Sequence, residues 1–289
     1  MDRDILWLGL HKTGTTFLQK SLDLSQKALQ QAAIHYVDLD EFRRRWTRPL
    51  LHKNHSEAPA EACLPEGTDR WLVFDENILA LVQHGLTRRG FYPDAGPRAR
   101  TISEYLGLKA PRIVLGLRGC ASLVPSLYCE ALKSTPFKTF QSFLMQSVEE
   151  MSWLPLIERL QAAFPDSELV LYRAEDLPGQ EGRLLSAVTG VPTAAFTLLD
   201  KPERVGFSHA AVSHLHELAE QGPVSRDMVR ETVRNLPRGP ERPGYAPWSP
   251  EDRAILDANY ARDIAILRKR ARTAHAGPRL TFLDLAEAE

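Results

Sequence analysis

The chain has 289 residues, 43% hydrophobic and 25% charged, with 36 Lys and Arg against 37 Asp and Glu for a formal net charge of −1. This is the composition of an ordinary globular protein, long enough for one large α/β domain or two smaller ones. It excludes a global basic field of the kind that gathers nucleic acid, and no stretch approaches the ~20 apolar residues of a membrane span, so any anion site is local.

The first apolar run, Ile5-Leu6-Trp7-Leu8, reads as a buried strand. It leads into Gly9-Leu10-His11-Lys12-Thr13-Gly14-Thr15-Thr16, and helical spacing begins at Phe17. Strand, Gly- and hydroxyl-rich turn and helix start together make an anion cradle, because free N–H groups and the helix dipole both favour negative charge there. Gly9 and Gly14 have the spacing of the two P-loop glycines, yet a Walker A loop carries its lysine directly after the second glycine. Here Thr15 holds that place, and Lys12 lies inside the loop.

Further on, Ile34 to Val37 is a second strand, and the segment from Asp38 to Asp69 is irregular, with Arg43-Arg44-Arg45, Trp46, His52 and His55. Such aromatic and basic groups suit a cap over a polar or anionic acceptor; a metal site at His52 and His55 lacks Cys or carboxylate partners. Trp71 to Phe74 is a third strand, all apolar as a buried parallel strand is. It ends in Asp75-Glu76-Asn77, at the end of the sheet where open α/β folds bind ligands. Adjacent strand residues point opposite ways, so one carboxylate faces the site while another polar group caps the helix expected from Ile78.

Thr101 to Leu108 reads as a helix, and Arg112 to Leu117 as a fourth strand ending in Arg118. A helix over 122–133 carries Ser122, Ser126 and Tyr128, with Pro125 in its first turn. Phe137 to Phe164 is mostly helical by spacing, and Glu168 to Arg173 is a fifth strand followed by Glu175 and Asp176 as structural caps. A helix closes at Gly190. Residues 236–250 hold five prolines and two glycines, which excludes helix and central strand. Ser249-Pro250 then starts a C-terminal helix, Arg268-Lys269-Arg270 is a solvated run at its end, and no element is assigned to the tail.

The loop His11-Lys12-Thr13-Gly14-Thr15-Thr16 resembles the phosphosulfate-binding loop of sulfotransferases that use 3′-phosphoadenosine 5′-phosphosulfate (PAPS). Arg118 and Ser126, eight apart, resemble the family's second signature, although Gly119-Cys120 replaces its usual Asn-Pro or Asp-Pro and leaves Ser122 as an alternative to Ser126. The resemblance covers roughly residues 1–190. It implies that Lys12 contacts the bridging oxygen and sulfuryl group, that Thr13, Gly14, Thr15 and Thr16 hold the 5′-phosphate, with His11 at the loop's entry, and that Arg118 and Ser126 bind the 3′-phosphate. It also implies a late basic loop over the cofactor, for which Arg204, Arg238 and Arg242 are candidates.

The expectation is therefore a single domain over 1–289, α/β, with a three-layer parallel sheet flanked by helices in the P-loop-like sulfotransferase arrangement, and with 38–70 and 200–250 as excursions around the site. The expected activity is transfer of a sulfuryl group from PAPS to a hydroxyl or amine of a small-molecule or saccharide acceptor. Lys12 is the catalytic cation; Glu76 is the first choice of base, Asp75 the second and His11 the third; no metal is required. Other readings are a P-loop kinase, a non-catalytic nucleotide-binding module and a structural interaction protein. Three cysteines, an odd count without metal-ligand spacing, and an N-terminal apolar run too short for a secretory signal point to a cytoplasmic, bacterial protein.

Overall fold

The computed structural model describes residues 3–52, 55–200, 206–273 and 279–286. In chain order the first elements are β1 (Ile5–Trp7), α1 (Thr15–Leu24), α2 (Gln26–Gln31) and β2 (Ile34–Tyr36). A helical segment follows as α3 (Leu39–Phe42), a π-turn over Arg43–Thr47 and α4 (Arg48–Leu51), then β3 (Arg70–Phe74). A short ribbon, β4 (Leu86–Thr87) and β5 (Gly90–Phe91), precedes α5 (Ala95–Tyr105), β6 (Arg112–Leu117) and α6 (Cys120–Leu132). The remainder is α7 (Phe140–Phe143), α8 (Leu154–Ala163), β7 (Glu168–Arg173), α9 (Glu181–Thr189), α10 (His209–Gln221), α11 (Arg226–Asn235), α12 (Pro250–Thr273) and β8 (Arg279–Leu283).

Six strands form one sheet in the order β2-β3-β1-β6-β7-β8, and every pairing in it is parallel. The strands are apolar on both faces because helices cover both. Ile5, Trp7, Leu72, Phe74 and Val114 enter one core with residues of α1 and α9. The alternate residues Leu6, Trp71, Val73, Ile113 and Leu115 enter the other, with residues of α5, α6, α8 and α12. This strict alternation is the period-two geometry of a strand sandwiched in a three-layer α/β fold. β1 lies between β3 and β6, so the chain's crossovers diverge on either side of it. The crevice beyond its C-terminal end is the switch point at which open sheets take ligands.

Several sequence expectations shift. The segment after Asp38 is helical over 39–51, with Asp38 accepting the Glu41 N–H as its cap. The helix expected from Ile78 is a single 3₁₀ turn, Glu76–Ile78. The region 137–164 is not one helix. Its middle is held in non-helical form from α12: Asn259 donates to the Val148 and Glu149 carbonyls, and Asp263 accepts the Trp153 N–H at 2.7 Å and the Ser152 hydroxyl at 2.8 Å. Pro155 then suits the first turn of α8. The helices α10 and α11, inside the expected 200–250 excursion, and the strand β8 have no counterpart in the sequence reading. Nor is the basic run wholly solvated: Arg268 pairs with Asp284 just after β8, and Arg270 with Glu158 at 3.1 Å.

Candidate functional site

Three strand ends supply the site. Past β1 the backbone takes positive φ at Gly9 (51°), Lys12 (67°) and Gly14 (85°). A Cβ on Gly9 would lie 2.9 Å from both Phe74 Cε2 and Thr15 Cγ2, so only glycine lets the loop pass this close to β3. Gly14 is the N-cap of α1, and its carbonyl accepts from Phe17 and Leu18. The first N–H groups of α1 have no intrahelical acceptor, as at any helix start. Thr15 and Thr16 line the recess in front of them. Thr13 is buried, and its hydroxyl proton goes to the Leu10 carbonyl at 2.7 Å. It braces the loop and does not offer that proton to an anion.

Past β6, Arg118 turns back over the loop. Its Nη1 donates to the Lys12 carbonyl at 2.6 Å and its Nε to Ser122 Oγ at 2.9 Å. Ser122 is thus the hydroxyl that contacts Arg118; Ser126 lies one turn further along α6, lining the same recess. The swap follows from helix geometry, since Ser122 sits in the first turn beside the strand end. Glu175 accepts the Gly119 N–H at 2.7 Å and the Tyr260 hydroxyl at 2.8 Å, fixing the start of α6. Burial lowers the Arg118 pKa, Glu175 opposes that shift, and Arg238 lowers it further. Two guanidinium groups in one recess repel until an anion arrives.

One residue that the sequence did not single out, Glu130, faces Lys12. Its Oε2 lies 3.0 Å from Lys12 Nζ and 2.9 Å from Lys133 Nζ. Burial would raise the Glu130 carboxyl, but the two lysines override it and hold it at about 2. Ser122, Ser126 and Glu130 recur every four residues and so share one face of α6, a pattern that could have flagged Glu130.

Past β3, the two carboxylates part company. Asp75 is fully buried: it accepts Arg43 Nε and the Asn77 N–H through Oδ1, at 2.8 and 2.9 Å, and the Thr47 hydroxyl through Oδ2 at 2.8 Å. Arg43 and Thr47 bracket the π-turn, which aims both inward at Asp75. Both Asp75 oxygens are thus engaged inside the protein, where they brace the π-turn against the end of β3. Glu76 lines the recess instead, 3.1 Å from Arg43 Nη2 and accepting from Gln19 Nε2 at 3.0 Å. Burial pushes the Glu76 carboxyl up, but Arg43 and His11 outweigh it and the net direction is down. For Asp75, burial prevails over Arg43 and the direction is up. His11 is buried, with Nδ1 3.1 Å from Tyr92 Oη and Nε2 3.1 Å from the Asn77 side-chain amide. Burial lowers its pKa, so at pH 7 the imidazole is neutral.

Three recesses meet here. One of 340 Å³ holds Glu76, Arg43 and the loop; one of 520 Å³ holds Arg118, Ser122 and the late-loop residues; one of 440 Å³ runs along the loop toward Leu177. Lys12 is the one described residue lining all three. The second recess has six cations, Lys12, Arg118, Lys133, Arg173, Arg238 and Arg253, against three carboxylates, Glu130, Glu175 and Asp257. That surplus fits an anionic ligand.

Of the late basic residues, Arg238 lines this recess, packed so closely that a Cβ on Gly244 would lie 3.2 Å from its Cζ. Arg242 is exposed and closes a tight backbone turn with Gly239, and Arg204 lies outside the described residues. Among the described residues no three His, Cys, Asp or Glu side chains form a group able to hold a metal ion, and no helix is long and apolar enough to cross a membrane. Cys63 is exposed, Cys120 and Cys129 are buried, and all three are free thiols. Comparison with protein-family models, curated proteins and solved structures finds no match.

Proposed function

We propose that the protein is a PAPS-dependent sulfotransferase. One observation carries the reading: Lys12 stands at the junction of a recess with surplus positive charge and a recess walled by a carboxylate. The sequence resemblance of the loop and of Arg118 to the family's two signatures supports it. Bound PAPS supplies an activated sulfuryl group on a phosphate leaving group. Its 3′-phosphate would be held by Arg118, Ser122 and Arg238, and its 5′-phosphate by the backbone N–H groups at the start of α1 and the Thr16 hydroxyl.

In the reaction a bond forms between the acceptor oxygen or nitrogen and sulfur. The bond from sulfur to the bridging oxygen breaks, and the electron pair stays on the phosphate. Lys12 meets the charge that develops on that oxygen, the kind of preorganised stabilisation worth most in the transition state. To do so it leaves Glu130, which retains Lys133 as a partner. Glu76 takes the acceptor's proton. Arg43 keeps it ionised at neutral pH, and Gln19 and Arg43 fix its orientation. The products are the sulfated acceptor and adenosine 3′,5′-bisphosphate.

The test is a thermal melt with that bisphosphate, without added metal, beside one with ATP and magnesium. Bisphosphate binding to the native state raises Tm by mass action. Stabilisation by ATP–magnesium with none by the bisphosphate overturns the proposal in favour of a phosphotransferase.

A further inference from the structure

The recess walled by Glu76 and the recess around Arg118 share Lys12 but differ in charge, and the difference bears on the acceptor. This step rests on the sulfotransferase reading. Among the described residues, Lys12 and Arg43 are the cations of the Glu76 recess, and both are committed. Lys12 pairs with Glu130. The Arg43 guanidinium is held by Asp75 behind it, at 2.7 Å from Nη2, and by Glu76 beside it at 3.1 Å. Two cations thus face two lining carboxylates with a third buried behind, and the neutral His11 adds nothing positive. A bound phosphosulfate brings further negative charge to the same place. An anionic acceptor entering here is desolvated with no uncommitted cation to receive it, which is the costly way to bury a charge.

The basic triplet Arg43-Arg44-Arg45 suggests an anionic acceptor when read in sequence. The structure removes that suggestion: Arg43 is spent internally, and Arg44 and Arg45 pair with Glu41 at the surface. What the recess offers instead is apolar. Phe17, Val82 and Leu199 line it together with the polar residues. Its 340 Å³ is at the small end of the range for small-molecule sites, which begins at about 300 Å³.

We infer that the acceptor is a small molecule with an apolar body, no anionic group and a single hydroxyl or amine head, and that carboxylated, phosphorylated or already sulfated acceptors are rejected. The head reaches Glu76 and Lys12, and the body lies on Phe17, Val82 and Leu199.

The test uses three para-substituted phenols of matched size: 4-ethylphenol, 4-hydroxyphenylacetate and tyramine. Each is titrated calorimetrically into protein saturated with adenosine 3′,5′-bisphosphate, and turnover with PAPS is measured alongside. The expected result is binding by 4-ethylphenol and tyramine, with 4-hydroxyphenylacetate weaker than either by about tenfold or more, equivalent to about 1.4 kcal/mol. Asp75→Asn, which leaves Arg43 with less negative charge to answer, should narrow that gap several-fold. Should that variant fail to fold, the ranking on the wild-type protein decides by itself. Binding of 4-hydroxyphenylacetate as tight as that of 4-ethylphenol overturns the inference, and so does binding of none of the three while the bisphosphate binds. Failure of the bisphosphate to bind overturns instead the underlying functional reading, and the acceptor inference falls with it.

Discussion

Arg118 Nη1 donates to the backbone carbonyl of Lys12 at 2.6 Å. The residue that faces the second recess therefore also holds the loop that carries the lysine. Lys12 sits at a φ of 67°, a left-handed conformation that costs a non-glycine residue roughly 1–2 kcal/mol. The Arg118 hydrogen bond helps to offset that cost, and it joins the ends of β1 and β6 into one unit.

Replacing Arg118 should accordingly have two effects. Arg118→Ala should weaken binding of adenosine 3′,5′-bisphosphate by about 1.5–3 kcal/mol, the range for hydrogen bonds to a charged group. Adenosine 5′-monophosphate, which lacks the 3′-phosphate, should lose less, its loss reflecting only the loosened loop. Calorimetric titration of both nucleotides separates the two effects; equal losses would assign Arg118 to loop support alone.

On the proposed sulfotransferase reading, Lys12→Ala should lower kcat by about 10²–10³ while changing bisphosphate affinity much less, since that reading has its charge meet the leaving oxygen as it becomes anionic. It should also raise the Glu130 pKa, because one of the two lysines holding that carboxyl down is gone. Carboxyl NMR titration of Glu130 in the wild-type and variant proteins checks the second point independently of activity.

Glu130 also sets a pH dependence. Its carboxyl titrates at about 2 in the native state against an ordinary value of 4.5. On acidification the unfolded chain takes up the proton first. The stability from this group is thus fully present above 4.5 and is lost as pH falls toward 2. Glu130→Gln should flatten the fall of Tm across that window and leave the profile from pH 6 to 8 unchanged in shape. An unaltered acid limb would show that the Lys12 and Lys133 pairs do not persist in solution.

Asp75 and Glu76 should fail differently. Glu76→Gln keeps the shape of the wall and should fold normally while turnover falls by roughly 10²–10⁴. Asp75→Asn should cost stability first, because Arg43, Thr47 and the Asn77 N–H converge on that buried carboxylate. Breaking a buried ion pair costs about 3–5 kcal/mol when one charge is left bare, and retaining the amide oxygen should keep the loss toward or below the lower figure. Thermal melts and turnover of both variants, measured side by side, check the assignment. Full activity in Glu76→Gln would remove it from the proton-transfer role.

Gly14→Ala and Gly190→Ala form a matched pair. Both glycines have positive φ, 85° and 78°, so both variants carry the left-handed penalty of about 1–2 kcal/mol. Only at Gly14 does the new methyl meet a neighbour, Leu177 Cδ2 at 2.9 Å; at Gly190 nothing lies within 4 Å. Gly14→Ala should therefore lower Tm more, and it alone should weaken bisphosphate binding.

Much of the framework was legible in the chain itself. Five of the six sheet strands were expected from their apolar runs, and Gly9, Lys12 and Gly14 marked the turn after the first. Both signals are local, because a strand covered on two faces needs a continuous apolar run and a left-handed turn favours glycine within a few residues. The strand β8 lacked that signal: it is an edge strand in which Leu280 alone is fully buried, held by pairing to β7. The site was divided in the same way. Glu76 and Arg118 were singled out because they stand at the ends of apolar strand runs, and Lys12 because it lies between the two glycines of the loop. Tertiary structure alone decided that Arg43 joins Asp75 and Glu76, that Glu130 faces Lys12 across 118 residues of chain, and that Arg238 comes to Arg118. A charged side chain in a polar segment has no periodicity to betray its partner. Its partner is set by which strand ends the sheet order brings together, and that order follows from burying two apolar faces at once.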